Sequence, residues 1–458
     1  MIYAQENPPI GLGYLASYLE QAGFKVTILD MSIRRITGRT LVEFIKKKKP
    51  VFIGITALTA YYIVSKELSC FLKREVPSIP VVLGGVHASA LPELSMVESG
   101  ADFVVIGEGE LTTLELARAL VEGRKDFSTI KGLAYRDREQ IRVNERRELI
   151  PDLDSLPLPA WHKINPNKYP REPHGAIMKY KRVAPLISSR GCPYACDYCA
   201  SCNFWGQRIR FRSPARIVDE MEYLSKNYGI REFHFWDDNL TVRRAHVEGI
   251  CKEVLRRRLD IAMAMPNGVR VDTLDEDLLK LMKRAGFYFL IFAVESWSKR
   301  VLEANNKKTN LVKIAKNVII AKRLGMELGC FFIFGLQGET IESMQRTIRF
   351  TKSLPFDQVS FFMLKPLPGA AIFDAWSKGM DLKGFDWNAI NYFNTRVSAG
   401  PIPTAQLERI QHAAYHSFYL RFPFFIKAAL YRFVKRGHLF QLKIILQKVI
   451  HAIFGFER

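Results

Sequence analysis

Between residues 183 and 366 the chain repeats one pattern, a short apolar run followed by a stretch of helical period. The apolar runs fall at 183–188, 231–236, 261–266, 288–295, 327–334 and 357–364. The helical stretches fall near 213–227, 242–258, 274–285, 310–324 and 340–353. Strands that are apolar on both faces must be covered on both, and strands joined through helices run parallel. The pattern therefore predicts a parallel barrel, or part of one, with its functional face at the carboxyl ends of the strands.

Polar residues and glycines gather at those ends. The first strand leads into Gly191-Cys192-Pro193-Tyr194-Ala195-Cys196-Asp197-Tyr198-Cys199. The second ends at Trp236-Asp237-Asp238-Asn239, the third at Pro266-Asn267-Gly268-Val269-Arg270 and the fourth at Glu295-Ser296. The fifth ends at Phe334-Gly335-Leu336-Gln337-Gly338-Glu339 and the sixth at Lys365-Pro366-Leu367-Pro368-Gly369. Asp237 or Asp238 alone reads first as a helix N-cap, and only the rim taken together points to a site. Cys192, Cys196 and Cys199 are spaced C-x3-C-x2-C. Three neighbouring thiolates can hold an iron–sulfur cluster and leave one iron of a [4Fe–4S] group open. A structural zinc site and three unrelated buried cysteines are the alternatives. Cys202 reads as a near-site thiol or a fourth ligand, and Cys70, Cys251 and Cys330 read as core.

The cysteine spacing, with the aromatic Tyr198 before the last cysteine, resembles the cluster motif of the radical S-adenosylmethionine (SAM) enzymes. The resemblance extends over the whole strand–helix repeat and implies a partial (β/α)6 TIM-like barrel. It implies that Cys192, Cys196 and Cys199 hold the [4Fe–4S] cluster and that SAM chelates the open iron. It places Tyr198, Asp237, Asp238, Asn267, Arg270, Glu295, Ser296 and Gly335 around SAM. The segment through Gly335 to Glu339 resembles that family's adenine region, with Phe331 and Gln337 as departures. The implied chemistry is reductive cleavage of SAM to methionine and a 5′-deoxyadenosyl radical.

Residues 1–122 show a second alternation, with strands at 25–30, 51–56, 80–85 and 101–107 and helices at 62–74 and 111–121. This predicts a Rossmann- or flavodoxin-like doubly wound parallel sheet that binds its ligand beyond the strand ends. Those ends carry Thr56-Ala57-Leu58, Gly84-Gly85-Val86-His87 and Gly107-Glu108. They resemble the cobalamin-binding domain that precedes many radical SAM barrels, with Thr56, Leu58, Gly84, Gly85, His87, Gly107 and Glu108 as its implied contacts. Asp30-Met31-Ser32 has serine where the cobalamin mutases have their histidine. His87 reads as a cobalt ligand or as a loop histidine bonded to backbone. The strand that normally opens such a sheet is expected upstream or missing, since only Ile2-Tyr3-Ala4 precedes Pro8.

Residues 123–182 read as a linker containing a polar β-hairpin, residues 183–380 as the barrel, and residues 381–458 as a mostly helical, basic tail. Leu439, Leu442, Leu446, Val449, Ile450 and Ile453 lie at helical spacing there, with Lys443 and Lys448 elsewhere around the axis. Such a helix packs on a core or lies on an anionic membrane. The net charge of +21 favours an anionic partner without choosing one. Seven cysteines, four of them between 192 and 202, favour a reducing compartment. With no signal peptide or apolar span legible, the expected location is cytoplasmic or peripheral to the membrane.

The two resemblances together imply methyl transfer to an unactivated carbon of a small or lipid-like substrate, with an external reductant such as flavodoxin or ferredoxin. Radical cyclisation, a cobalamin-free methylthiotransferase-like RNA enzyme and a non-catalytic sensor are the alternatives. The amino-terminal half holds only Cys70, too few thiols for the second cluster of the methylthiotransferases.

Overall fold

The computed structural model describes residues 7–34, 36–169, 178–390 and 396–420. The basic helix expected after residue 420 lies outside these residues. Among the described residues no helix is long and apolar enough to cross a membrane.

The first domain is built on β1 (Ile53–Thr56), β2 (Val81–Gly84) and β3 (Phe103–Val105), which pair in parallel in that order. Helices Ile10–Gln21, Gly38–Lys48, Tyr62–Glu75, Pro92–Ser99 and Gly109–Val121 surround this sheet. Residues 25–30, expected as a strand, form no ladder with any other described residues. The hairpin of β4 (Leu133–Asp137) and β5 (Gln140–Val143) forms as expected, but it is part of the sheet rather than of a linker. It adds antiparallel to β3, with Val104 opposite Ala134, and so completes a mixed five-stranded sheet.

The second domain is a six-stranded, all-parallel sheet. Its strands are β6 (Ala184–Leu186), β9 (Glu232–Phe235), β10 (Ala262–Val269), β11 (Phe287–Glu295), β12 (Glu327–Phe334) and β13 (Gln358–Met363). They pair in chain order, and a two-stranded ribbon of β7 (Ser189–Arg190) and β8 (Arg210–Phe211) frames the cysteine loop. All six expected strands are present, and β10 runs on to Val269 through an irregularity. The helices between them start and stop where local chemistry dictates. Ser213 caps Pro214–Tyr228 and Gly229 ends it in a left-handed conformation. Asp275 and Gly286 do the same for Glu276–Ala285, and a Thr340–Ser343 capping box opens Ile341–Ser353.

Alternation along the strands divides the core. Phe233, Phe235, Phe287, Leu290, Phe292, Phe332 and Phe361 join the main apolar cluster with the helices. Ala262, Ala264, Phe289 and Ile291 form a separate cluster with Phe331. The open edge at β13 is closed by helix Thr404–Tyr419. Its Tyr419 hydroxyl accepts from Val359 N at 3.0 Å and donates to Val359 O at 2.7 Å. Tyr415 accepts from Phe361 N at 3.1 Å, and Gln411 donates to Phe361 O at 2.6 Å. These side chains stand in for the missing neighbouring strand.

Candidate active site

The cysteine loop leaves the barrel through the β7–β8 ribbon. Gly191 opens it at φ +101°, and a Cβ there would lie 2.2 Å from the carbonyl oxygen of Arg208. Only glycine fits that pinch. Within the loop Cys199 N donates to Cys196 O at 3.0 Å. Asp197 anchors it from outside, accepting from Asn306 Nδ2 at 2.7 Å and, at its carbonyl, from Ile372 N at 3.0 Å. Cys196 is buried, while Cys192 and Cys199 are partly open.

Burial pushes the Cys199 thiol up to about 12 and raises that of Cys192, and Cys196 and Asp238 raise both further by their charge. The three sulfurs therefore share one neighbourhood in which a thiolate needs a cation beside it, which iron supplies. Cys192, Cys196 and Cys199 would hold the cluster here, as their shared loop and mutual influence allow.

The other strand ends close on this loop. The Arg270 guanidinium lies 3.8 Å over the Tyr194 ring and binds Asp272 at 3.0 Å, while its buried Nη1 has no partner. Glu295 sits at φ +67° beyond a register shift in β11, a strained position of the kind that concentrates at active sites. Its carboxylate is buried 3.3 Å from Lys307. Asp238 is exposed beside the cysteines, Asn267 is exposed where β10 loses its register, and Ser296 is fully buried. Lys365, at the end of β13, has its pKa pushed down by burial to about 8.

Several expected contacts have other work. Asp237 is buried and accepts from Ser188 N at 3.1 Å, Ser188 Oγ at 2.7 Å and Ser189 Oγ at 2.5 Å. It ties β9 to the strand that carries the cysteines rather than facing a ligand. The Tyr198 ring packs against Val301, Leu336 and Leu364. Gly335 N donates to Glu339 Oε2 at 2.7 Å, and a Cβ on Gly335 would lie 3.0 Å from Leu407. The carboxyl-terminal segment thus covers that strand end. Sequence reading gave Lys307 no role, because a lone charge beside a strand end carries no signal until its partner is known; Glu339, read as the end of the adenine-region segment, is the residue that holds the Gly335 turn.

In the first domain the three strand ends are stitched together. Ala57 N donates to Gly84 O at 2.7 Å, His87 N to Ala57 O at 3.1 Å, and Gly107 N to Ser89 Oγ at 3.0 Å. Gly85, at φ +94°, would press a Cβ to 2.8 Å from Ala57 O. His87 is fully buried, stacked at 3.8 Å on Tyr62 and edge-on to Trp387 at 4.6 Å. Its Nδ1 lies 3.2 Å from Thr59 Oγ1, so its side-chain partner is a hydroxyl rather than the expected backbone. Burial lowers its pKa to about 3, which keeps the ring neutral. His87 Nε2 and Trp387 Nε1 are buried without a partner, and with the glycine rim they suit a large polar cofactor. Glu108 does not belong to that set. Both its oxygens are taken, by Arg190 at 2.6 Å, Arg210 at 2.7 Å and Ile150 N at 2.8 Å.

The rim of the first domain meets the cysteine loop. Helix Val86–Ala90 packs against helix Ser201–Trp205, which follows Cys199. Gly369, at the sixth strand end, fits between them, its Cβ position 3.2 Å from Asn203 and 3.6 Å from Ala90.

Comparison with known proteins agrees with this arrangement. Residues 3–117 match the B12 binding domain family and residues 186–351 the Radical SAM superfamily. An uncharacterized methyltransferase of Pyrococcus horikoshii is 33% identical over 91% of this chain and 88% of its own length. The cytidylyl-2-hydroxyethylphosphonate methyltransferase of Streptomyces wedmorensis is 30% identical over 80% of this chain and 77% of its own. The cobalamin-dependent SAM radical enzyme OxsB, solved with aqua-cobalamin bound, superposes with a TM-score of 0.72 at 16% identity. That match covers 99% of this chain and 72% of OxsB and reports the fold. With both domains matched and a methyltransferase aligned along nearly its whole length, the chain belongs to the cobalamin-dependent radical SAM methyltransferase family.

Proposed function

We propose that this enzyme transfers a methyl group to an unactivated carbon of a small anionic molecule. The observation that carries the reading is the apposition just described, with helix Val86–Ala90, which follows Gly84-Gly85 in the B12-binding domain, against the helix that follows the cysteine loop. When bound, the cluster supplies an electron to SAM and cobalamin carries the methyl group. The chain's own residues orient these groups and exclude water. Cys192, Cys196 and Cys199 hold the cluster. Arg270 Nη1 offers its free donor to the SAM carboxylate, and Glu295, charge-balanced by Lys307, accepts from the SAM ammonium. Asp238, Asn267 and Ser296 line the remaining approach. Thr56, Leu58, Gly84, Gly85, His87 and Gly107 bound the cobalamin site. The phosphonate named for the Streptomyces wedmorensis relative supports a small anionic substrate. An external reductant such as flavodoxin or ferredoxin completes the system.

Anaerobic reconstitution with iron, sulfide and cobalamin, followed by SAM carrying a deuterated methyl group, tests the reading. Deuterated methyl product should form from phosphonate or carboxylate candidates in step with deoxyadenosine. Deoxyadenosine with no methylated product across such candidates would refute methyl transfer.

A further inference from the structure

The contact between the two domains is partly apolar, with Ile10 and Tyr14 in the barrel's main cluster and Phe373 and Trp387 in that of the first sheet, and a buried charge network lies beside these clusters. Arg190 lies on β7, two residues before Cys192, and its two Nη atoms reach Glu108 and Glu110 at 2.6 Å each. Arg210, its partner across the ribbon, reaches the other oxygen of Glu108 at 2.7 Å. The side chains of Arg190, Glu108 and Glu110 are 7%, 4% and 5% exposed, so water offers them little alternative. Tyr14 and Trp205 cover the Arg190 guanidinium at 5.1 and 5.8 Å. Two residues on, Arg212 pairs with Glu220 at 2.6 Å and donates to the Tyr14 hydroxyl at 3.3 Å.

Buried ion pairs add little net stability, because desolvation offsets most of the attraction. They do discriminate between geometries. An apolar seam keeps most of its contacts if one domain slides, whereas a sliding Arg190 would leave charges buried and unpaired. Glu108 and Glu110 also flank Gly109 at the third strand end of the B12-binding domain, while Arg190 stands at the neck of the cysteine loop. The network therefore joins the two cofactor-bearing loops directly.

We propose that Arg190, forked between Glu108 and Glu110, is a positioning residue that fixes the distance between the cobalamin site and the cluster. The inference rests on both groups being bound as the family implies, but not on the identity of the substrate. Arg190→Lys keeps the charge but cannot span two carboxylates. Glu110→Gln removes one arm and leaves Glu108 paired with Arg190 and Arg210. Iron content and the corrin absorbance bands of the reconstituted variants report whether both sites load. The enhancement of cob(II)alamin electron spin relaxation by the reduced cluster then reports their separation, with no turnover required.

Both variants should load both groups and show weaker relaxation enhancement than the parent. Displacement by about 1 Å costs on the order of 100-fold in group transfer. Methyl transfer should therefore fall at least roughly tenfold while SAM cleavage to deoxyadenosine stays within about twofold. If Arg190→Lys fails to load, the milder Glu110→Gln decides. Parental relaxation in the loaded variants would overturn the proposal, as would equal losses of cleavage and methylation. If the parent yields no methylated product, the relaxation measurement still tests the positioning role and separates its failure from that of the methyl-transfer reading.

Discussion

Glu339 gives a prediction whose sign and size come directly from its surroundings. Its carboxyl is buried at the start of the helix after β12, with one oxygen accepting from Gly335 N at 2.7 Å and Leu336 N at 3.2 Å. Burial pushes its pKa from 4.5 up to about 8, with those N–H groups and the Ser296 hydroxyl pulling the other way. Between those two values the folded chain holds a proton that the unfolded chain releases. The stability this group contributes is therefore complete below pH 4.5 and is lost as pH rises through about 8. The loss is about 1.4 kcal/mol per pH unit, roughly 4–5 kcal/mol in all. Glu339→Gln keeps the shape and the acceptor for both N–H groups but cannot ionise. Urea unfolding of the metal-free protein, followed by circular dichroism from about pH 5 to 8.5, compares the two chains over the interval in which linkage acts. The variant should match the parent within about 1 kcal/mol at the acid end and exceed it by several kcal/mol at the alkaline end. Parallel stability curves for the two chains would refute the reasoning.

Three further outcomes follow from the same geometry. Tyr419→Phe leaves both the N–H and the C=O of Val359 unpaired and should cost about 2–4 kcal/mol by denaturant midpoint. Tyr415→Phe should cost about half as much, because Gln411 still serves Phe361 O. Cys202→Ser should keep the iron content and charge-transfer absorbance of the reconstituted protein, whereas Cys199→Ser should lose both; equal loss in the two would make Cys202 a ligand. Gly85→Ala must hold φ +94° with ψ 177°, a conformation essentially reserved for glycine, at about 1–3 kcal/mol and press its methyl on Ala57 O. It should weaken cobalamin retention on gel filtration while iron content stays at the parental level.

Much of the barrel was legible because its signals are local. All six strands of the second sheet follow from apolar runs bounded by glycine and capping residues, and the cysteine loop follows from spacing alone. The first domain was less legible at its edges. Residues 25–30 have the composition of a strand, but a strand exists only with a partner, and composition does not say whether one is present. The Leu133–Val143 hairpin was visible from its alternation, whereas its addition to β3 was not, because antiparallel docking leaves no periodic trace.

The site divides in the same way. Sequence by itself determined the two domain types and pointed to the three candidate cluster cysteines and the rim of strand ends, since each is written in spacings of a few residues. Only the tertiary structure decided what the individual carboxylates do. Asp237 and Asp238 are adjacent in the chain, yet one is saturated by Ser188 and Ser189 and the other stands open beside the cysteines. Glu108, which sits in a cofactor-like loop, instead binds Arg190, 82 positions away in the chain. A charge takes its role from the group that faces it across the fold, and that pairing is fixed by packing between domains rather than by neighbours in sequence.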